Sequence, residues 1–369
     1  MSDTAAGRIH ELLAPSAAAL GVPDPLVALV SYAIPFALVL GLVQISAGLL
    51  TYAERKISAD IQNRVGPNRV GPFGLLQFLA DGVKLLLKED IIPDAADRKL
   101  FRLAPYVVFP PAVLAALVIP FGGPFQVADL NVGLIFVTVA SSLAVVGFLM
   151  SGWASNNKWA LLGGIRSAAQ IISYEIPAAL SLLTVVLIAG SCSLRAIVAA
   201  QGPWPWQWFL LHNPFTLVAF VVFFVSSLAE MNRTPFDLPE AESELVSGYN
   251  VEYSGMRFAL FTIAEFASVF IMAALMVAVF LGGGNVGLDP GTAGISAGLL
   301  MAAAFFAKTV LLCLATIWVR WSLPRLRIDQ MMTLCWKYFI PVSFACLVLT
   351  ALWLLAFGGH GILWRMPEA

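Results

Sequence analysis

The sequence predicts an all-α, polytopic membrane protein with about eight transmembrane helices and one amphipathic interfacial helix. Three observations carry that expectation. Of the 369 residues, 60% are hydrophobic and only 12% charged, and the mean hydropathy is +0.87. A soluble domain carries about 45–50% apolar and about 25% charged residues. The apolar residues gather into runs near 27–53, 103–121, 132–152, 168–190, 213–230, 258–281, 293–319 and 338–357, each about the 20 residues that a helix needs to cross a bilayer core. Finally, the basic residues alternate between loops.

That alternation orients the chain. The loops between spans 1 and 2, 3 and 4, 5 and 6, and 7 and 8 hold 17 of the 21 lysines and arginines. Cytoplasmic loops carry such an excess, so these loops face the cytoplasm and both termini face the periplasm. Of the remainder, Arg8, Arg195 and Arg365 fall on the outer side, and Lys308 lies within span 7. The predicted organisation is a periplasmic segment 1–24, a single helical domain 25–357 with cytoplasmic loops 54–102, 153–167, 230–257 and 320–337, and a periplasmic tail 358–369. The first 24 residues carry acids and prolines rather than a basic stretch followed by an apolar core, so they do not read as a cleavable signal.

Within the first loop, residues 73–88 have helical rather than spanning character. Gln77, Asp81, Lys84 and Lys88 recur every three or four positions, and Leu75, Leu76, Leu79, Val83, Leu86 and Leu87 take the other face. This pattern predicts an amphipathic helix lying in the membrane interface. A surface helix packed on its own protein fits the pattern equally well.

Several chemistries have no support. The three histidines sit in the N-terminal tail, at an outer loop edge and after the last span, so haem ligation between helices is not expected. The four cysteines are scattered, with no CxxC pair for a cluster or metal. Gly282, Gly284 and Gly287 satisfy GxGxxG but lie between two membrane helices, where the fingerprint needs a strand before and a helix after. The chain is expected to bind no cofactor and no nucleic acid, and any electron transfer uses groups on another chain.

Polar residues inside spans are the informative exceptions, because a charge at bilayer depth costs at least about 2.5–3.5 kcal/mol. Glu175, Glu265 and Lys308 are such residues, and Glu230 closes span 5. They suit a proton or quinone path; the plain alternative is an interhelical pair such as Glu265 with Lys308. Pro177, two residues after Glu175, predicts a bend whose freed backbone groups need a polar cavity.

The cytoplasmic loops look structured. Arg-Val-Gly-Pro occurs twice, at 64–67 and 69–72, and each Gly-Pro favours a turn that would aim Arg64 and Arg69. Residues 230–257 carry Glu230, Asp237, Glu240, Glu242, Glu244 and Glu252 against only Arg233 and Arg257. Interleaved prolines and apolar residues argue against disorder, so this acidic loop is expected to bind a cation, dock a basic partner or carry protons.

Four stretches resemble the H-type membrane subunit of bacterial NADH:quinone oxidoreductase, respiratory complex I, whose mitochondrial counterpart is subunit 1. They are ERKISADIQNRVGPNRVGPFGLLQFLADGVKLLLKED at 54–90, SNNKWALLGGIRSAAQIISYEIP at 155–177, EMNRTPFDLPEAESELVSGYNVEYSGMRFALFTIAEF at 230–266 and RWSLPRLRIDQMMTLCWK at 320–337. The resemblance implies a subunit without a redox centre, seated in lipid in the bacterial cell inner membrane. Its implied substrate is a quinone, ubiquinone. Its implied partners are the other membrane-arm subunits and the peripheral-arm iron–sulfur and quinone-site subunits. It implies a quinone chamber served by Arg55, Arg64, Arg69, Asp81, Arg166, Glu240, Glu242 and Glu244. It implies proton coupling through Glu175, Glu230, Glu242, Glu244 and Glu265, with Lys308. Two rivals remain open on the residues themselves: a coupling subunit of a membrane-bound hydrogenase, and a stand-alone cation/proton antiporter.

Overall fold

A computed structural model of the chain describes residues 4–19, 23–123, 125–287, 294–357 and 361. Among these, all regular structure is helical. Seven helices are long and apolar enough to cross a membrane. They are α2 (Asp24–Ile61), α4 (Arg98–Val118), α5 (Gly133–Ala154), α6 (Lys158–Ala189), α10 (Gly255–Phe280), α11 (Gly294–Ser322), and α12 (Ile328–Thr333), which runs through one π turn (Leu334–Phe339) into α13 (Ile340–Phe357). The eighth expected span is α8 (Pro214–Glu230), apolar but only 17 residues long, at the short end of what a bilayer core requires. Shorter helices are α1 (Ala5–Ala19), α3 (Gln77–Leu87), α7 (Leu194–Ala199) and α9 (Glu242–Leu245).

The helices outrun the apolar windows. α2 has 38 residues, about 57 Å at 1.5 Å per residue, and carries Glu54 and Arg55 on helix where a loop was expected. α6 begins at Lys158, so Arg166 is helical too. Hydropathy marks where lipid lies, whereas a helix continues until a local signal stops it. That signal is an asparagine. At the end of α2, Asn63 takes φ 54° while the Arg64 amide donates to the Ala59 carbonyl at 2.8 Å and the Asn63 amide to Asp60 at 3.1 Å. The end of α8 repeats it, with Asn232 at φ 51°, Arg233 donating to Leu228 at 3.0 Å and Asn232 to Ala229 at 3.2 Å. This is the left-handed helix stop in which Asn can replace Gly. The Arg64 backbone is therefore set by the helix stop rather than by the Gly-Pro turn after it.

The core is built around α10, whose residues Val269–Phe280 are all buried. It packs against α2, α4 and α11, while α4, α5 and α6 form a row and α13 closes over α6 and α8. Small residues let these helices approach. A Cβ added to Gly163 on α6 would lie 2.7 Å from the Gly248 Cα, so the acidic loop rests directly on α6. Tyr249 and Tyr253 of that loop are buried, and Tyr253 stacks on Phe101 of α4 at 4.0 Å.

The expectation at Pro177 changes in detail, while the GxGxxG stretch lies between two membrane helices as expected. α6 runs unbroken past Pro177, and the carbonyl that the missing Pro177 N–H would have bonded, Ser173, accepts from the Cys335 thiol at 3.1 Å. A side chain, not an aqueous cavity, covers that carbonyl. The GxGxxG stretch follows α10 directly, with the Gly283 amide donating to Val277 at 2.8 Å, so it is a helix terminus and not a nucleotide turn. The N-terminal segment is largely helical in α1, and the tail 358–369 lies outside the described residues apart from 361.

Candidate functional site

Charge accumulates where the C-terminal ends of α2 and α11 and the N-terminal half of α10 meet the turn after α8. Arg233, only 2% exposed, reaches Glu54 of α2 at 3.0 Å and Glu265 of α10 at 3.2 Å. The Glu54 contact is an aligned hydrogen bond; the Glu265 contact is an ion pair without that alignment. Arg320 of α11 holds the other Glu54 oxygen at 2.9 Å. The Arg233 guanidinium also lies 4.3 Å over the Phe266 ring. Two carboxylates and two guanidiniums thus bind four segments together, and the planar arginine fork is what allows one cation to serve two acids.

Beside this cluster opens a cavity of about 840 Å³, with Asp237, Glu240, Glu265, Arg320 and Arg325 on its wall. Asp237 faces Arg325 at 3.4 Å. Burial, and then the Glu240 charge, push Asp237 up to about 7, against the pull of Arg325 and Arg233. Glu240 accepts from the Tyr249 hydroxyl at 2.6 Å and from Asn250 at 3.2 Å. Burial raises Glu240 as well, against that tyrosine hydrogen bond. Asp237 therefore holds its proton toward neutral pH, where an ordinary carboxylate is fully ionised, and Glu240 on the same wall is shifted in the same direction.

Two smaller cavities lead inward. The first, about 70 Å³, has both Glu265 and Glu230 in its lining. The second, about 160 Å³, has Glu230 and Glu175, with Thr138, Ser141 and Ser142 of α5. Glu265 is common to the first two spaces and Glu230 to the last two. Glu175 keeps one carboxyl oxygen buried with no hydrogen-bond partner. Three carboxylates on three helices are thus strung along a single succession of spaces.

The structure brings only some of the sequence-predicted residues into this string. Glu265, Glu230 and Glu175 belong to it, and Glu240 lines the large cavity at its start. Arg166 pairs with Glu244 at 2.7 Å at the edge of the acidic loop, and Arg55 pairs with Asp81 of α3. Arg64 and Arg69 are exposed and line none of these three cavities. Glu242 opens α9, and its side chain lies outside the described residues. Lys308 sits apart. Its ammonium donates to the Leu281 and Gly283 carbonyls at 2.8 and 2.9 Å and lies 4.3 Å over the Trp208 ring. A cation there satisfies carbonyls just past the C-terminus of α10, where the helix dipole favours positive charge, so the Glu265–Lys308 pair is not formed and Arg233 takes its place. Sequence reasoning missed Glu54, Arg233, Arg320 and Asp237 as site residues. Glu54 and Arg320 each sit at the end of an apolar run, a position explained equally well by topology.

Fold and site together define a class: a polytopic α-helical membrane protein with a string of partly buried carboxylates leading away from an open, charged cavity. The chain belongs to the NADH dehydrogenase family, whose model matches residues 34–351. It is 52% identical over 321 residues to the NADH-quinone oxidoreductase H subunit of Anaeromyxobacter dehalogenans, covering 83% of this chain and 78% of that protein. The protein of the same name from Chlorobium luteolum is 47% identical over 344 residues, 90% of each chain. That from Rhodospirillum rubrum is 51% identical over 308 residues, 84% of this chain and 89% of its own.

Proposed function

We propose that this chain is the H-type membrane subunit of a respiratory NADH:quinone oxidoreductase, where it walls the quinone chamber and couples quinone reduction to proton translocation. The observation that carries the reading is the shared lining of the three cavities: Glu265 and Glu230 each border two of them, and Glu175 borders the innermost. Reduction of a quinone to a quinol takes up two protons, so charge at the chamber changes with every turnover. Asp237 and Glu240 on the wall respond to that charge, and Glu265 passes the response to Glu230 and Glu175. The chain supplies binding surface and proton-holding groups; the electrons come from iron–sulfur centres on peripheral-arm subunits.

The surface of α3 suits a chain seated at the membrane interface. α3 buries no residue, and Leu79, Val83, Leu86 and Leu87 are exposed on one face. An apolar stripe of this kind suits the bilayer interface. Substrate is a membrane quinone, ubiquinone, and the setting is the bacterial inner membrane with both termini periplasmic. For orientation, Asn131→Cys in a background without the native cysteines is expected to react with an impermeant thiol reagent in intact cells, while Asn68→Cys stays protected. Labelling of Asn68→Cys from outside would invert the topology. For the chamber, a photoreactive quinone analogue in native membranes is expected to mark peptides covering 234–265 in competition with quinone. Label on this chain confined to other segments would remove the large cavity from the quinone path.

A further inference from the structure

We propose that Gln170 of α6 is a positioning residue that clamps the turn carrying Glu230 and Arg233, setting the spacing between the carboxylates of α6 and α8. The proposal rests on the reading of the carboxylate string given above. Gln170 is fully buried, and its amide nitrogen donates to the Ala229 carbonyl at 2.7 Å, the Phe236 carbonyl at 2.8 Å and the Asn232 Oδ1 at 3.2 Å. Two of the three partners are backbone carbonyls, which only accept, so the nitrogen must face them. An amide nitrogen has two hydrogens; the two short bonds take them and Asn232 shares. Asn232 in turn donates to Ser167 at 3.4 Å, one turn earlier on α6.

The clamp holds both ends of one segment. Ala229 immediately precedes Glu230, and Phe236 closes the turn through its amide, which donates to the Arg233 carbonyl at 2.8 Å. Between the two anchors lie the acid common to both inner cavities and the cation that faces Glu54 and Glu265. Gln170 stands five residues before Glu175 on the same helix. One side chain therefore ties the α6 acid to the α8 acid. The amide lines neither inner cavity, so it touches no transferred proton and acts only through what it holds. Its own Oε1 is buried without a partner, so the nitrogen alone holds the segment.

The test uses the assembled complex in native membranes, with NADH:ferricyanide turnover reporting the amount of complex. Gln170→Met keeps the volume and removes the donors; Gln170→Glu keeps the shape and turns an acceptor toward three acceptors. Both are expected to lower kcat for quinone per assembled complex about tenfold or more, with KM for quinone within about twofold. In a Glu230→Gln background, Gln170→Met is expected to add little, since the spacing it sets no longer serves a proton-holding group. Unchanged kcat, a rise in KM alone, full additivity with Glu230→Gln, or loss of assembly in both variants would each overturn the positioning role. If Glu230→Gln and Glu265→Gln themselves keep normal turnover, the carboxylate string is wrong and the clamp's purpose falls with it. If they lower turnover while the Gln170 variants do not, only the clamp fails.

Discussion

Glu265→Gln is expected to leave the complex assembled, with NADH:ferricyanide turnover unchanged, while quinone reduction and proton pumping fall together by about tenfold or more, equivalent to about 1.4 kcal/mol or more in the barrier. Glutamine keeps the shape and hydrogen-bonding capacity of the side chain and removes the exchangeable proton. Assembly survives because Arg233 retains its aligned bond to Glu54 at 3.0 Å, and Glu54 retains Arg320 at 2.9 Å. Function does not, because Glu265 borders both the large cavity and the first inner one. Quinone reduction falls along with pumping because a coupled step stalls when its proton route is closed. The measurement is NADH:quinone turnover beside NADH:ferricyanide turnover in membranes, with proton uptake in sealed vesicles. Normal turnover with normal pumping would make Glu265 only a packing partner for Arg233.

Replacing Arg233 should be more destructive and should act on the fold. Arg233→Ala removes the cation between Glu54 and Glu265 and leaves buried carboxylates with less compensation. Breaking a buried pair from one side costs about 3–5 kcal/mol. The expected outcome is little assembled complex on native gels and a parallel loss of NADH:quinone and ferricyanide activities in membranes. Arg233→Lys should be intermediate, since a single ammonium lacks the fork that faces Glu54 and Glu265 together and the plane that lies over Phe266. Adding Glu265→Gln to Arg233→Ala should restore part of the assembly by removing one stranded charge, a non-additivity expected of groups in contact. Equal loss with and without Glu265→Gln would show that the two side chains do not share the cluster.

Much of this chain is legible from its residues alone. All eight apolar runs are helices, since lipid demands that every backbone group be satisfied within the segment, and hydropathy reads that demand directly. The amphipathic stripe of α3 and the intramembrane acids are legible for the same reason: each follows from residues close in sequence. Helix ends are less so. Asn63 and Asn232 stop their helices by a local signal, but hydropathy scores asparagine as one more polar residue and not as a stop in the left-handed conformation. The partners of the charged groups are not legible at all. Lys308 is visible as an intramembrane cation and its acceptor is not, because Leu281 and Gly283 offer carbonyls that look the same in every sequence. Arg233 and Glu54 lie 179 residues apart.

The sequence by itself determined the class, the helical segments and which residues must be costly in lipid, because those properties are sums over neighbouring side chains. Only the tertiary structure decided that Arg233 rather than Lys308 meets Glu265, that a cysteine thiol covers the carbonyl freed by Pro177, and that Glu265, Glu230 and Glu175 fall along one succession of cavities. Each of these is a relation between helices. It depends on rotation and depth at packed interfaces, which small residues such as Gly163 and Gly248 set by close approach and which no window along the chain contains.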